Sequence, residues 1–267
     1  MLRVENVSYS YNGRRGASDV TLHVDDGGAL IALAGPNGSG KSTLLKLIAR
    51  VLTPQRGEVV LDGRSDWMAK EYARHVGYLP QESEDVFTMK AIDVVVSGRA
   101  PYLSRFAFES ESDYAEAEKA LALCDASYLA QRFLDEMSGG ERKRVFLARV
   151  LAGAPRLILL DEPFAALDIA HVQQFSRLLR GIVDRTNSTV VFASHDLNWA
   201  AAYSDRMIVM REGSIARDAS PAEVMRADVV RELFGFEAHV VDRWVVPPPH
   251  PPSAPSPPSP GEKGTRT

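Results

Sequence analysis

Short apolar runs recur along the chain: Leu30 to Ala34, Val59 to Leu61, Leu157 to Leu160 and Val190 to Ala193. Runs this short, with no polar face, read as strands buried on both sides. Between them apolar residues return at helical spacing, and strands alternating with helices predict an α/β domain with a mostly parallel sheet. The stretch from about Ala91 to Leu134 breaks this rhythm, holding A-E-A-E-K-A-L-A-L and no convincing strand. With the helical pattern behind it, it predicts a helical subdomain over about residues 91–150, inserted in the α/β core. Further on, R-M-I-V-M-R-E-G-S-I-A-R-D predicts a hairpin turning at Glu212-Gly213, and A-H-V-V-D-R-W-V-V a short strand. No internal repeat and no sustained heptad pattern stands out.

The segment from Pro247 to Pro260 holds nine of the sixteen prolines. Without backbone donors it can form neither helix nor sheet ladder, so it reads as extended or disordered, or as a ligand for a proline-reading domain. The expected organisation is a folded unit over 1–246 and a proline-rich tail over 247–267. With 267 residues, 45% of them hydrophobic, the chain can bury a proper core. Its apolar runs fall far short of the roughly 20 residues a bilayer-spanning helix needs, and M-L-R-V-E-N-V lacks the features of a secretory signal. A cytoplasmic protein is the expectation. The single cysteine, Cys124, excludes an internal disulfide and reads as a small buried hydrophobe. A net charge of −4 argues against nucleic-acid binding through a broad basic surface.

Chemistry enters at Gly35-Pro-Asn-Gly-Ser-Gly-Lys-Ser42, which fits G-x-x-x-x-G-K-[ST], follows an apolar strand and opens a helix. Glycines there let successive backbone N–H groups curl round a phosphate, and the helix start adds partial positive charge. Lys41 is placed to reach the β- and γ-phosphates and Ser42 to put its hydroxyl on Mg²⁺. The run R-L-I-L-L-D-E-P then delivers two acids at the carboxyl end of a buried strand, the edge where open α/β sheets bind ligands. Asp161 suits Mg²⁺, held through its water shell; Glu162, one residue further, suits orienting and deprotonating an attacking water.

A second glycine pair sits in Ser138-Gly-Gly-Glu141, before the helical R-K-R-V-F-L-A-R-V-L-A. One reading is a capping box, S-x-x-E. A mere cap needs no paired glycines, each of which costs up to about 1 kcal/mol against alanine in a helix. The other reading is close approach of an anion to the backbone. Because the chain's own γ-phosphate already has Lys41, Mg²⁺ and the loop, that anion belongs most simply to a nucleotide held by another copy. Two copies would then sandwich two ATP.

Taken in order, G-P-N-G-S-G-K-S-T, M-S-G-G-E-R, L-I-L-L-D-E-P and A-A-L-D resemble an ATP-binding cassette (ABC) ATPase over roughly residues 1 to 246. The resemblance implies a P-loop NTPase core with an N-terminal antiparallel β portion and an inserted helical subdomain. It also implies ATP contacts from Gly35, Asn37, Gly38, Ser39, Gly40, Lys41, Ser42 and Thr43, and, from the partner, Ser138, Gly139, Gly140 and Asp168. Tyr11 matches the aromatic that stacks on adenine, with Tyr9 as the alternative. Gln81 matches the glutamine that touches Mg²⁺ and the attacking water, and His195 the histidine at the γ-phosphate. Two departures are visible: Met137 stands for the usual leucine before S-G-G, and Phe164 for the threonine usual after D-E-P.

One cassette per chain without a fused membrane segment implies separate permease subunits, with this chain peripheral at the cytoplasmic face of the inner membrane. V-V-V-S-G-R-A-P-Y-L-S-R-F, residues 94 to 106, resembles the segment found in ATPases of importers for iron chelates, haem and cobalamin, which work with a solute-binding protein. Phe87, Tyr102, Phe106 and Phe108 either line a groove for a permease helix or form the insertion's own small core. An exporter or lipid-moving cassette, and a soluble cassette acting on DNA or protein complexes, are the rival readings.

Overall fold

The computed structural model describes residues 1–81, 89–104, 108–165, 167–235, 239–241 and 244–246. At the N-terminus the side chains alternate: in β1 (Leu2–Tyr11) Leu2, Val4 and Val7 are buried while Arg3 and Asn6 face out. That strand pairs antiparallel with β2 (Arg14–Val24) on one side and β4 (Arg56–Leu61) on the other, giving a three-stranded sheet. The run Val59–Leu61 is therefore a strand, but of this antiparallel sheet and not of the parallel one. Its preceding residues, Arg56–Glu58, are exposed, which suits a sheet with one wet face.

Between those strands lies β3 (Leu30–Ala34), buried along its whole length. It sits inside a second, six-stranded sheet of order β5-β6-β7-β3-β8-β9. The other members are β5 (Val76–Leu79), β6 (Leu157–Leu160), β7 (Thr189–Ser194), β8 (Arg206–Arg211) and β9 (Ser214–Ala219). Neighbours run parallel from β5 to β8, and β9 returns antiparallel. The turn from β8 to β9 is Glu212-Gly213, as the sequence predicts, both at positive φ (51° and 85°), the backbone a two-residue hairpin needs. Successive residues of β3 feed opposite faces: Leu30, Ala32 and Ala34 join one apolar cluster, Ile31 and Leu33 the other.

Helices supply the cover on each face. On one side α1 (Lys41–Ile48) buries Leu44, Leu45, Leu47 and Ile48 together with the antiparallel sheet. On the other, α6 (Ile169–Thr186) buries Val172, Phe175, Leu179, Ile182 and Val183, a helical stripe. Short α2 (Ala69–Tyr72) precedes β5, and α7 (Leu197–Tyr203), α8 (Pro221–Val224) and α9 (Ala227–Phe234) finish that side. Two short strands, β10 (His239–Val241) and β11 (Trp244–Val246), pair antiparallel where one strand was expected. The proline-rich tail lies outside the described residues.

In the region expected to be helical, α3 (Ala91–Val96), α4 (Glu111–Leu123) and α5 (Gly139–Ala152) pack on one another. Cys124 is fully buried among them, and burial pushes its thiol pKa up, so it is the small hydrophobe expected. The G-R-A-P-Y segment fastens this region to the end of α5. Arg99 donates to the carbonyls of Ala152 (3.0 Å) and to Asp113 (3.1 Å), and the Tyr102 hydroxyl donates to Gly153 O (2.9 Å). The guanidiniums of Arg99 and Arg74 lie 3.9 and 5.0 Å from the Tyr102 ring centre. Tyr102 is thus tied to this region while remaining 37% exposed; Phe108 is 90% exposed, and Phe87 and Phe106 lie outside the described residues.

Gly98 lets this turn touch α5, since a Cβ there would lie 2.0 Å from Arg149 O. Gly98→Ala is expected to destabilise the fold by about 1–3 kcal/mol, read as a lower urea midpoint at unchanged slope. An unchanged midpoint would contradict the close-approach explanation.

Candidate active site

Four neighbouring parallel strands end at one edge, and each hands over functional residues there. The registers Leu79↔Leu160, Leu160↔Phe192 and Ala34↔Ser194 bring the strand ends level. Just beyond them lie Gln81 after β5, Asp161 and Glu162 after β6, His195 after β7, and the glycine-rich loop after β3. Crossover topology, not sequence proximity, assembles them.

The loop is wound by backbone conformations that side chains disfavour. Gly38 and Gly40 have φ of 78° and 104°, and a Cβ on Gly40 would lie 2.2 Å from Gly16 O. No side chain caps α1, so its first N–H groups remain available to an anion. Ser39 Oγ is buried without a partner. A buried orphan hydroxyl in a loop that leads into an uncapped helix start fits a phosphate ligand. Lys41 folds back over the loop, donating to Gly35 O (2.8 Å) and Pro36 O (3.0 Å). Burial lowers its pKa, against the pull of Glu162 and Asp161.

At the loop's far side Ser42 Oγ donates to Asp161 Oδ1 at 2.8 Å, and the Tyr78 hydroxyl lies 3.4 Å from Oδ2. Asp161 is 3% exposed, and burial raises its pKa although Ser42 works the other way. A hydroxyl and a buried carboxylate this close form the hard oxygen pair that suits Mg²⁺. Glu162 takes the left-handed backbone (φ 49°), uncommon for a glutamate, and its Oε2 stands 3.3 Å from His195 Nδ1 and 3.5 Å from Gln81 Nε2. Expected catalytic residues from three strands thus meet at one oxygen.

Lys41, Ser42, Gln81, Glu162 and His195 line a cleft of about 600 Å³ together with Tyr11, Asn37, Gly38, Gly40 and Thr43, while Asp161 is bonded behind Ser42. Tyr11 lines it; Tyr9 stands edge-on behind, ring centres 4.9 Å apart, against the core. Sequence reasoning missed Gly16, which also lines the cleft, and Tyr78. Neither sits in a recognisable pattern.

Ser138, Gly139, Gly140 and Asp168 do not line this cleft. Ser138 caps α5 and closes the capping box: its N and Oγ donate to Glu141 Oε2, each at 2.9 Å, and Glu141 N returns a bond of 3.3 Å. Those bonds hold the Glu141 carboxyl below its ordinary pKa. Yet neither glycine has positive φ, and a Cβ would meet nothing within 4 Å at Gly139 and only His171 Cδ2, at 3.6 Å, at Gly140. The cap is real, and nothing inside the chain requires the glycines. Asp168 caps α6 through His171 N (2.9 Å) and lies 2.8 Å from His171 Nδ1, so Gly140, His171 and Asp168 adjoin. His171 was legible only as the third residue of that helix. Phe164 stands edge-on to Phe175 and Phe192, ring centres 6.1 and 5.4 Å away, beside the acid pair.

Residues 17–165 match the model of the ABC transporter family. The chain is 40% identical over 236 residues to the hemin import ATP-binding protein of Myxococcus xanthus, covering 85% of this chain and 86% of that protein. It is 34% identical over 242 residues to the petrobactin import ATP-binding protein of Bacillus anthracis, covering 90% and 89%. Among solved structures, a dimeric ATP-binding cassette in a post-hydrolysis state with ADP and Pi superimposes with a TM-score of 0.70 at 28% identity, covering 82% of this chain and 98% of that one.

Since burial raises the Asp161 pKa above its ordinary 3.8, the folded chain binds that proton more tightly than the unfolded chain. Stability is therefore lost as pH rises from the ordinary carboxylate range through the folded pKa, and stays lost above it. Asp161→Asn removes this penalty: the nucleotide-free variant should melt a few degrees above the parent at neutral pH, with the curves converging in acid. Equal melting temperatures at neutral pH would contradict it.

Proposed function

The chain belongs to the ABC transporter family and is an ATPase, and from that premise we propose that it is the nucleotide-binding subunit of an importer for an iron chelate or haem, working in pairs that share two ATP. The observation that carries the pairing is the glycine pair at the start of α5, which the chain's own packing does not require and which lies outside its own cleft. A dimeric relative among the solved structures supports it.

In each cleft Tyr11 stacks on the base, the loop and the start of α1 receive the phosphates, and Lys41 exchanges the Gly35 and Pro36 carbonyls for phosphate oxygens. Ser42, Gln81 and Asp161 would hold Mg²⁺, which would supply positive charge against the negative charge building on the phosphate oxygens. Glu162 accepts the proton of a water whose oxygen bonds to the γ-phosphorus while the bond to the bridging oxygen breaks, leaving ADP and phosphate. His195, 3.3 Å from the Glu162 carboxylate, orients it and reaches the γ-phosphate. Ser138, Gly139, Gly140 and Asp168 close on that phosphate from the partner. ATP then favours the closed pair because it touches both copies, and its cleavage removes the bridge.

Among the described residues no helix is long and apolar enough to cross a membrane. A separate permease, with this chain peripheral on its cytoplasmic side and a solute-binding protein beyond it, completes the machine. Import of haem or an iron chelate rests on the names of the relatives, hemin and petrobactin import proteins. Uptake of labelled haem and ferric siderophores by cells carrying the chain and its permease tests it; uptake unchanged after deletion of the chain would overturn it.

Lys41→Ala is expected to lower hydrolysis at least about a hundredfold. Glu162→Gln should keep ATP binding and lose about a hundredfold or more in turnover, and parental turnover would remove Glu162 as the base. Ser138→Arg should bind ATP as a single chain and fail to pair, checked by light scattering with ATP.

A further inference from the structure

Lys143 is a lysine that the reaction as described does not use. It lies one helical turn beyond Gly139 on α5, half-buried, and burial lowers its pKa. Its ammonium does not point to solvent. It donates to Pro163 O at 2.9 Å and to Ala165 O. Those carbonyls belong to the turn that follows Glu162, a turn closed by Ala165 N to Glu162 O (3.1 Å) and Leu167 N to Phe164 O (3.2 Å). From its other side Phe164 anchors that turn against Phe175 and Phe192. One cation therefore joins two parts with different duties: the helix whose start faces the partner's ATP, and the backbone that presents Glu162 to the chain's own.

We propose that Lys143 is a positioning residue that couples the two ATP sites of the pair, a role that rests on the shared-site reading above. When the partner's phosphate seats on Gly139 and Gly140, α5 is fixed. Through the ammonium the Pro163 and Ala165 carbonyls are fixed with it, and Glu162, held at its left-handed backbone, is set for the proton transfer. With the partner's site empty, the start of α5 lacks that anchor, and so does the turn that Lys143 ties to it. Each site thus hydrolyses at full rate only when the other is filled, which is a coupling free energy between distinct sites carried by a named contact. A lysine suits this because two carbonyl acceptors compensate a charge already drawn partly out of water.

Hydrolysis is measured against ATP concentration for the full chain, Lys143→Met and Lys143→Arg. The parent should show a Hill coefficient of about 2, the number of sites, falling towards about 1 in Lys143→Met. The maximal rate should fall roughly tenfold in that variant, as expected for a slightly misplaced base. Its ATP affinity at low protein concentration, where chains are single, should stay parental, because Lys143 does not line the cleft. Lys143→Arg, which keeps the charge and two donors, should restore most of the cooperativity. Where the Met variant does not fold, Lys143→Gln carries the test with the same expectation. Parental cooperativity in a folded Met or Gln variant overturns the inference while the shared sites stand. A parent with a Hill coefficient of about 1, together with Glu162→Gln chains that stay single in ATP, overturns the shared-site reading itself and this inference with it.

Discussion

The bond from Ser42 Oγ to Asp161 Oδ1, 2.8 Å long and largely out of water, is the contact on which the rest of the site depends. It joins the first turn of α1 to the end of β6, two elements more than a hundred residues apart in the chain but only two strands apart in the sheet order β6-β7-β3. Burial alone works against an ionised Asp161, and the hydroxyl of Ser42 offsets part of that penalty. The fold can hold such a buried acid because the strands beneath it are apolar on both faces. Alternate residues of β3 enter the two opposite clusters, leaving the strand end little freedom to relax. Stability is given up at that edge so that oxygen ligands stand ready there.

On the proposed reading, the chain builds from this edge one half of a reaction site and carries half of another. Lys41, Ser42, Glu162, Gln81 and His195 converge on a single cleft, and Glu162 is held by a left-handed backbone that few glutamates adopt. Ser138, Gly139, Gly140 and Asp168 face elsewhere, internally capped and otherwise unengaged by the chain's own cleft. Lys143 ties the second set to the first through the turn after Glu162. If the proposed pairing holds, such a chain gains full catalytic geometry only by meeting its like. Nucleotide affinity and self-association then become one equilibrium rather than two.

Much of this was legible in the sequence because the relevant features obey local rules. The phosphate loop needs glycine at Gly38 and Gly40 for backbone reasons that act within a few residues, and the hairpin at Glu212-Gly213 needs positive φ twice. A buried strand ending in D-E-P announces itself by having no polar face. What escaped depends on partners distant in sequence. Strand β5 has only four residues and is a strand because β6 pairs with it. Val59–Leu61 looked like part of the parallel sheet; only its pairing with β1 assigns it elsewhere. The Tyr78 hydroxyl and Gly16 enter the site because the sheet brings them there, and the order β5-β6-β7-β3 cannot be read from any one segment. Tyr102 is fixed by the carbonyl of Gly153 and by two guanidiniums, partners from three separate segments that no local pattern announces.

The central claim is that catalytic groups for one ATP come from two molecules, and mixing two dead variants tests it most directly. A Lys41→Ala chain has no working cleft but an intact α5 start; a Ser138→Arg chain has the reverse. Neither should hydrolyse ATP alone, and combining them should restore measurable turnover, because each mixed pair holds one complete site. Mixtures that stay inactive, or Ser138→Arg chains that hydrolyse at the parental rate unaided, would contradict it.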